Sequence, residues 1–203
     1  KIKIVPKKKY SGLAVIFLKD IQKLPELARA ALKFSPESIE SFDDNTWRIA
    51  MKFLPEIVGK MKAKNFFKLG FAFLPEVFMA LTSGIPKMVV LVELADNSQA
   101  LLKSRLSELK RELKSSKFKI RLISSPTEAE KYWTMRRESF NLLRSKIKDK
   151  QTAPFIDDFI VNPERLGDFL PQLYEILDPY KDKMLYTVAG HIGDGNFHII
   201  PLV

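Results

Sequence analysis

Both histidines of this 203-residue chain lie in one octapeptide, HIGDGNFH at residues 191–198. On one continuous strand, residues seven apart point to opposite faces, because side chains alternate. A two-residue type I′ turn at Asp194-Gly195 would instead pair His191 with His198 on one face, with Cβ atoms about 4.5–5.5 Å apart. Two imidazoles at that separation can bind one divalent metal. A wider loop through the four turn residues would relax this geometry, and spacing alone also fits an ordinary surface hairpin.

Alternating strands and helices must position this hairpin. Buried β-branched and aromatic runs predict strands at 11–18, 38–42, 88–94, 119–123 and 155–161, and two more within 184–203. Caps, prolines and apolar residues three and four apart predict helices at 20–32, 46–54, 56–82, 99–113, 126–144 and 163–176. We expect an α+β fold, a ferredoxin-like antiparallel sheet with helices packed on one side. A doubly wound parallel sheet is disfavoured, because no strand end carries a Gly-rich phosphate loop and the chain ends in a hairpin.

The chain carries a formal net charge of +10, from 34 Lys and Arg against 24 Asp and Glu. Such an excess suits a nucleic acid, an anionic membrane surface or an acidic small substrate. No nucleic-acid recognition motif accompanies it, so we expect no nucleic-acid partner. The absence of cysteine excludes disulfides and thiolate metal sites. Residues 66–81 are the most apolar stretch, but Lys68, Pro75 and Glu76 interrupt it before the about 20 apolar residues that a spanning helix needs.

The segment 190–198, GHIGDGNFH, resembles the hallmark of the C-terminal domain of FAD-linked oxidases. That group contains D-lactate dehydrogenases, glycolate oxidase and D-2-hydroxyglutarate dehydrogenase. Residues 133–136 (WTMR) resemble the family's W-x-x-R helix, and 155–158 (FIDD) resemble its acidic strand. Residues 1–10 resemble the connector that leaves an FAD-binding domain, and the sequence lacks an initiating Met. The resemblance therefore predicts a fragment, with residues 11–203 as the substrate domain, truncated at its C-terminus.

The resemblance also assigns roles to individual residues. His191 and His198 would be catalytic as ligands of a divalent metal, usually taken as zinc in the family. The family's third ligand is a Glu in a later Ser-x-Glu-His-Gly segment, which would lie beyond Val203. Arg136 would pair with the substrate carboxylate, as its planar, forked guanidinium suits. Asn196 would hydrogen-bond the substrate or the flavin edge, although an Asn at the end of a Gly-rich turn is equally explained by its backbone conformation.

The implied reaction is flavin-dependent oxidation of a small D-2-hydroxy acid to the 2-oxo acid, with the C2 hydride passing to FAD. No GxGxxG fingerprint occurs, so FAD would be bound mainly by another domain, and this fragment alone would be inactive. Where D-2-hydroxyglutarate dehydrogenases have a Thr and a Lys, this chain has Phe140 and Ile156. Losing those polar contacts favours a smaller, D-lactate-like acid. The alternative is a non-catalytic binding subunit or metal-binding module of the same fold.

The expected partners follow from this reaction. They are a small 2-hydroxy acid and the chain's own FAD-binding domain. We expect a cytoplasmic location, and the positive charge leaves open a peripheral attachment to the inner face of the membrane. The sequence predicts no particular oligomeric state.

Overall fold

Seven strands form one fully antiparallel sheet in a computed structural model, which describes residues 6–60, 73–75, 78, 82, 84–116, 118–146, 151 and 158–203. The strands are β1 (Tyr10–Leu18), β2 (Ser38–Asp43), β3 (Met88–Asp96), β4 (Lys119–Ile123), β5 (Asp158–Ile160), β6 (Leu185–His191) and β7 (Asn196–Leu202). The helices are α1 (Leu24–Leu32), α2 (Asp44–Lys52), α3 (Leu54–Lys60), α4 (Gln99–Ser115), α5 (Pro126–Lys146) and α6 (Leu166–Leu177). Within the described residues, the predicted order of strands and helices is confirmed.

The first four strands form the ferredoxin-like unit that the sequence predicts. They lie in the order β4-β1-β3-β2, and α1 and α4 connect them in the β-α-β pattern of that fold. Strands β6, β7 and β5 then extend the sheet beyond β2. The expected α+β class is confirmed, and the C-terminal hairpin is part of the same sheet.

The helices cover both faces of the sheet, whereas the sequence analysis placed them on one side. One face packs against apolar side chains of α1, α4 and α6. The other packs against α2, α3 and α5, with Trp47, Ile57 and Tyr132 fully buried there. The difference arises because α2 and α3 are inserted between β2 and β3, and α5 follows β4, outside the ferredoxin-like connections. Residues Leu13–Leu18 of β1 are therefore buried on both faces.

The Asp43 side chain connects β2 and α2 to β6 by hydrogen bonds. Its Oδ1 accepts hydrogen bonds from the Thr46 backbone N–H at 2.8 Å and the Thr46 hydroxyl at 2.7 Å, which caps α2. Its Oδ2 accepts the Val188 backbone N–H at 2.9 Å. Complete burial raises the pKa of the Asp43 carboxyl to about 7, although these hydrogen bonds act in the opposite direction.

The turn between β6 and β7 differs from the two-residue type I′ turn expected at Asp194-Gly195. Ile192–Asp194 form a 3-10 turn in which the Gly195 N–H donates to the Ile192 carbonyl at 3.0 Å. Within this turn only Gly195 adopts a positive φ, of 70°. A type I′ turn needs a positive φ at both central residues. The Ile192 side chain is 3% exposed in the core, which stabilises the wider loop.

The wider loop changes the register of the hairpin. His191 lies opposite Asn196, and His198 lies opposite Ala189. The expected direct pairing of His191 with His198 is therefore wrong by two residues. Because side chains alternate with a period of two, this shift leaves both histidines on the same face.

Three predicted features lie partly outside the described residues. Of the strand expected at 155–161, residues 158–161 are described and form a strand over Asp158–Ile160, and the helix expected at 56–82 is described only in part. The side chains of Phe140 and Ile156, which favoured a small substrate, also lie outside the described residues. Across the described residues, no helix is both long and apolar enough to cross a membrane.

Candidate functional site

Two cross-strand rows bring the candidate residues onto one face of the sheet. In the first row, Glu40 pairs with His191, which pairs with Asn196. In the second row, Ala189 pairs with His198, which pairs with Asp158 on the edge strand β5. The rows are two residues apart along each strand, so their side chains point the same way.

His191 is hydrogen-bonded to Glu40 on the neighbouring strand β2. The imidazole Nδ1 lies 2.7 Å from Glu40 Oε1. The His191 side chain is 47% exposed, whereas that of Glu40 is only 10% exposed. The buried carboxylate therefore holds the Nδ1 side of the ring and leaves the remainder facing outward.

His198 lies close to a different carboxylate, in an ion-pair contact. Its Nδ1 lies 2.5 Å from Asp158 Oδ1, and the His198 side chain is 36% exposed. The ring centroids of His191 and His198 are 6.0 Å apart, with the planes at 82°. The structure thus brings together the two histidines that the sequence singled out, each with Nδ1 close to a carboxylate oxygen.

Arg136 reaches the same place from α5, on the face that α5 covers. Its Nη2 lies 2.5 Å from Glu40 Oε2, and its side chain is 22% exposed. This ion pair lacks hydrogen-bond geometry at Oε2, and within the described residues Arg136 Nε is also buried without a hydrogen-bond partner. Arg136 therefore keeps donor capacity for a further acceptor. Arg137 is 65% exposed and lies 3.6 Å from Glu138.

Glu40 is the site residue that the sequence analysis missed. Its carboxylate touches both His191 and Arg136, which are 151 and 96 positions away along the chain. The available signal was a carboxylate in the middle of the strand SIESFD, three residues before the second carboxylate of that strand, Asp43. Buried carboxylates occur mainly with partners, so this glutamate predicts nearby donors. The sequence analysis included Asp158 in the acidic strand but assigned it no role in the site.

The histidine end of the site is partly exposed, whereas Glu40 and Arg136 at its α5 end are largely buried. Two cavities of about 420 Å³ lie elsewhere, and neither is lined by His191, His198 or Arg136. One of them is lined by Tyr186, near the opposite end of β6 from His191. A substrate bound at the histidines would need a second surface to enclose it.

The described residues alone do not form the divalent-metal site that the sequence analysis expected. Among the described residues, no group of three or more His, Cys, Asp or Glu side chains has metal-binding geometry. His191 and His198 each have Nδ1 beside a carboxylate oxygen, a contact that also occurs around metal-binding histidines. The described residues thus offer two candidate imidazole ligands and no third ligand beside them.

The fold and the site together describe a class of protein: an α+β domain in which two histidines beside carboxylates and an arginine lie on one face of the sheet. Residues 7–203 match the family model "FAD linked oxidases, C-terminal domain". The chain belongs to this family, whose members are flavin-dependent oxidoreductases, and the expectation from the GHIGDGNFH segment is confirmed.

Curated relatives carry one enzyme name. "D-2-hydroxyglutarate dehydrogenase" of Pseudomonas putida is 27% identical over 205 residues, covering 99% of this chain and 19% of the relative. A protein of the same name from Haemophilus influenzae is 29% identical over 72 residues, covering 36% of this chain and 7% of the relative. The chain thus spans about a fifth of the length of the first of these relatives.

Solved structures share the fold at low identity. p-Cresol methylhydroxylase with substrate bound has a TM-score of 0.59 at 10% identity, over 98% of this chain and 39% of that one. Alkyldihydroxyacetonephosphate synthase has a TM-score of 0.58 at 10% identity, over 96% of this chain and 35% of that one. At this identity the likeness concerns the fold alone.

Proposed function

We propose that this chain is the substrate domain of a flavin-dependent dehydrogenase that oxidises a D-2-hydroxy acid to the 2-oxo acid. The observation that carries the proposal is the grouping of Arg136, His191 and His198 on one face of the sheet. A 2-hydroxy acid has a carboxylate and an adjacent hydroxyl, and this grouping offers a partner for each. Family membership supports the redox part of the proposal.

Arg136 binds the substrate carboxylate in this proposal. Glu40 occupies Nη2 only, and Arg136 Nε still lacks a hydrogen-bond partner among the described residues. A charge-assisted hydrogen bond to a second carboxylate would satisfy that donor and fix the orientation of the acid. Fixing the carboxylate places the C2–H bond in one position, which is the main contribution a substrate domain makes to hydride transfer.

His191 and His198 would hold a divalent ion, zinc by analogy with the family, at the end of the site opposite Arg136. Their Nε2 atoms would hold the ion, together with a ligand from outside the described residues. When bound, such an ion supplies positive charge beside the substrate oxygens, and FAD supplies the hydride acceptor. Asn196, which pairs with His191 across the hairpin, would hydrogen-bond the substrate or the flavin edge.

The proposed partner is the FAD-binding domain, with residues 1–10 as the connector to it. The histidine end of the site is partly exposed, and Ile160, in the same cross-strand row as Asn196, is 81% exposed. An exposed apolar side chain beside half-exposed histidines is typical of a surface that another domain covers. Closure by that domain would exclude water from the bound acid.

Two acids are candidates for the substrate. The name shared by the curated relatives favours D-2-hydroxyglutarate. The sequence positions Phe140 and Ile156 favour a smaller, D-lactate-like acid. Both acids share the carboxylate and hydroxyl that Arg136 and the histidines would bind, so the reaction proposed is the same for either.

The proposal is tested with the protein joined to its FAD-binding domain. Its flavin absorption is followed anaerobically while D-2-hydroxyglutarate, D-lactate, L-lactate and glycolate are added in turn. Bleaching by a D-acid and not by L-lactate supports the proposal and identifies the substrate. A flavoprotein that no hydroxy acid reduces, or a protein that binds no flavin, contradicts it and favours a non-catalytic binding module.

A further inference from the structure

The Glu40 carboxylate lies between two donors on different elements. Oε1 faces His191 Nδ1 on β6 at 2.7 Å, and Oε2 faces Arg136 Nη2 on α5 at 2.5 Å. The carboxylate is 10% exposed, so water screens these contacts weakly. Each oxygen therefore serves a different functional group.

We propose that Glu40 is a positioning residue that fixes His191 as its Nδ1–H tautomer and holds Arg136 beside it. Arginine is always cationic and offers only donors, so the carboxylate oxygen that faces Arg136 as an ion pair must remain unprotonated. Neutral histidine donates from one ring nitrogen and accepts at the other, and a carboxylate at Nδ1 requires Nδ1 to carry the proton. Nε2 is then the nitrogen with the free lone pair.

This inference deepens the proposed function and rests on it for its catalytic meaning. A histidine that binds an ion through Nε2 needs that nitrogen unprotonated, and Glu40 selects this form before any ligand arrives. The same carboxylate fixes the arginine that would bind the substrate carboxylate. One buried side chain thereby sets the relative positions of the two groups that would bind opposite ends of the acid.

A single substitution separates this role from a merely structural one. In Glu40→Gln the side chain keeps its size but offers one oxygen and one NH2 group. The cationic Arg136 takes the oxygen, because it has no acceptor form. The NH2 group then faces His191 Nδ1, which must lose its proton to accept, and the histidine changes to the Nε2–H tautomer.

The 203-residue chain has only two histidines, so ring tautomers are read directly. We would record long-range 1H–15N spectra of the metal-free, 15N-histidine-labelled chain at about pH 8.5, where an ordinary imidazole is neutral. We expect His191 as Nδ1–H in the wild type and as Nε2–H in Glu40→Gln, with His198 unchanged in both. Glu93→Gln, on the neighbouring strand and the same face, should move neither histidine.

Two results would overturn the inference: wild-type His191 in the Nε2–H form, or His191 remaining Nδ1–H in Glu40→Gln. The wild-type spectrum tests the first half even if the variant does not fold, and an unchanged His198 signal shows that the variant does fold. Since neither flavin nor substrate is present, failure of the proposed oxidation leaves this test unaffected.

Discussion

Asp158 lies directly opposite His198 across β5 and β7, and its Oδ1 is 2.5 Å from His198 Nδ1. Glu40 and His191 are directly opposed in the same way across β2 and β6. Each histidine of the hairpin thus lies beside a carboxylate from the neighbouring strand on its outer side. The two carboxylates differ in burial: the side chain of Glu40 is 10% exposed and that of Asp158 is 62% exposed.

Asp158→Asn should weaken zinc binding to the protein by about 10-fold to 100-fold, because loss of a carboxylate behind a metal-binding imidazole has effects of that size. Titration calorimetry with zinc measures the change. Asp168→Asn is the matched control, since Asp168 is 69% exposed and pairs with Arg165 on another part of the surface. Equal zinc affinity in all three proteins would contradict a role for Asp158 behind His198.

Arg136→Lys should lower kcat/KM for the hydroxy acid by about 10-fold to 100-fold, mainly by raising KM. Lysine keeps the charge beside Glu40 but loses the forked donor geometry, a difference of about 1.5–3 kcal/mol for a charged hydrogen bond. Steady-state kinetics with the flavin domain attached measure the effect. Arg137→Lys provides the control, because Arg137 is 65% exposed, and it should change kcat/KM less than about twofold. Equal effects of the two substitutions would contradict a role for Arg136 in binding the substrate carboxylate.

Gly195→Ala should destabilise the chain more than Gly84→Ala does. Both glycines have a positive φ, 70° and 76°, and alanine there is strained by about 1 kcal/mol or more. A Cβ at Gly195 would also collide with the Val161 carbonyl oxygen, whereas a Cβ at Gly84 meets nothing within 4 Å. The difference in free energy of unfolding, measured with urea, isolates the collision. Equal losses for the two variants would show that the loop relaxes freely.

The free energy of unfolding should decrease as pH rises from about 4 to about 7, through Asp43. Burial raises the pKa of this carboxyl from 3.8 to about 7 in the folded protein, so the folded state binds the proton more tightly than the unfolded chain. Its stabilising contribution is complete below the unfolded pKa and is lost as pH rises through the folded pKa. The expected loss is on the order of a few kcal/mol.

Two substitutions check that assignment by urea unfolding at several pH values. Asp43→Asn should remove this pH dependence and lower stability throughout by about 1–3 kcal/mol, because its amide NH2 cannot accept both from Thr46 and from the Val188 N–H. Asp44→Asn, one residue later, should retain the pH dependence. An unchanged slope in Asp43→Asn would assign the effect to other groups.

The order of strands and helices could be read from the sequence, because it depends on local patterns. Runs such as Met88–Leu94 and the helix cap at Ser98 specify their elements with little help from distant residues. The shared face of His191 and His198 was also predictable. The prediction of a shared face holds although the predicted register was wrong by two residues, because side-chain direction repeats every two residues.

Tertiary structure alone decided what surrounds the histidines. The hairpin register depends on the burial of Ile192 in the core, and the second layer of helices depends on insertions around the ferredoxin-like unit. Glu40 meets His191 and Arg136 only because β2 lies beside β6 and under α5. Contacts between residues so far apart follow from packing of the whole chain, which no local pattern encodes.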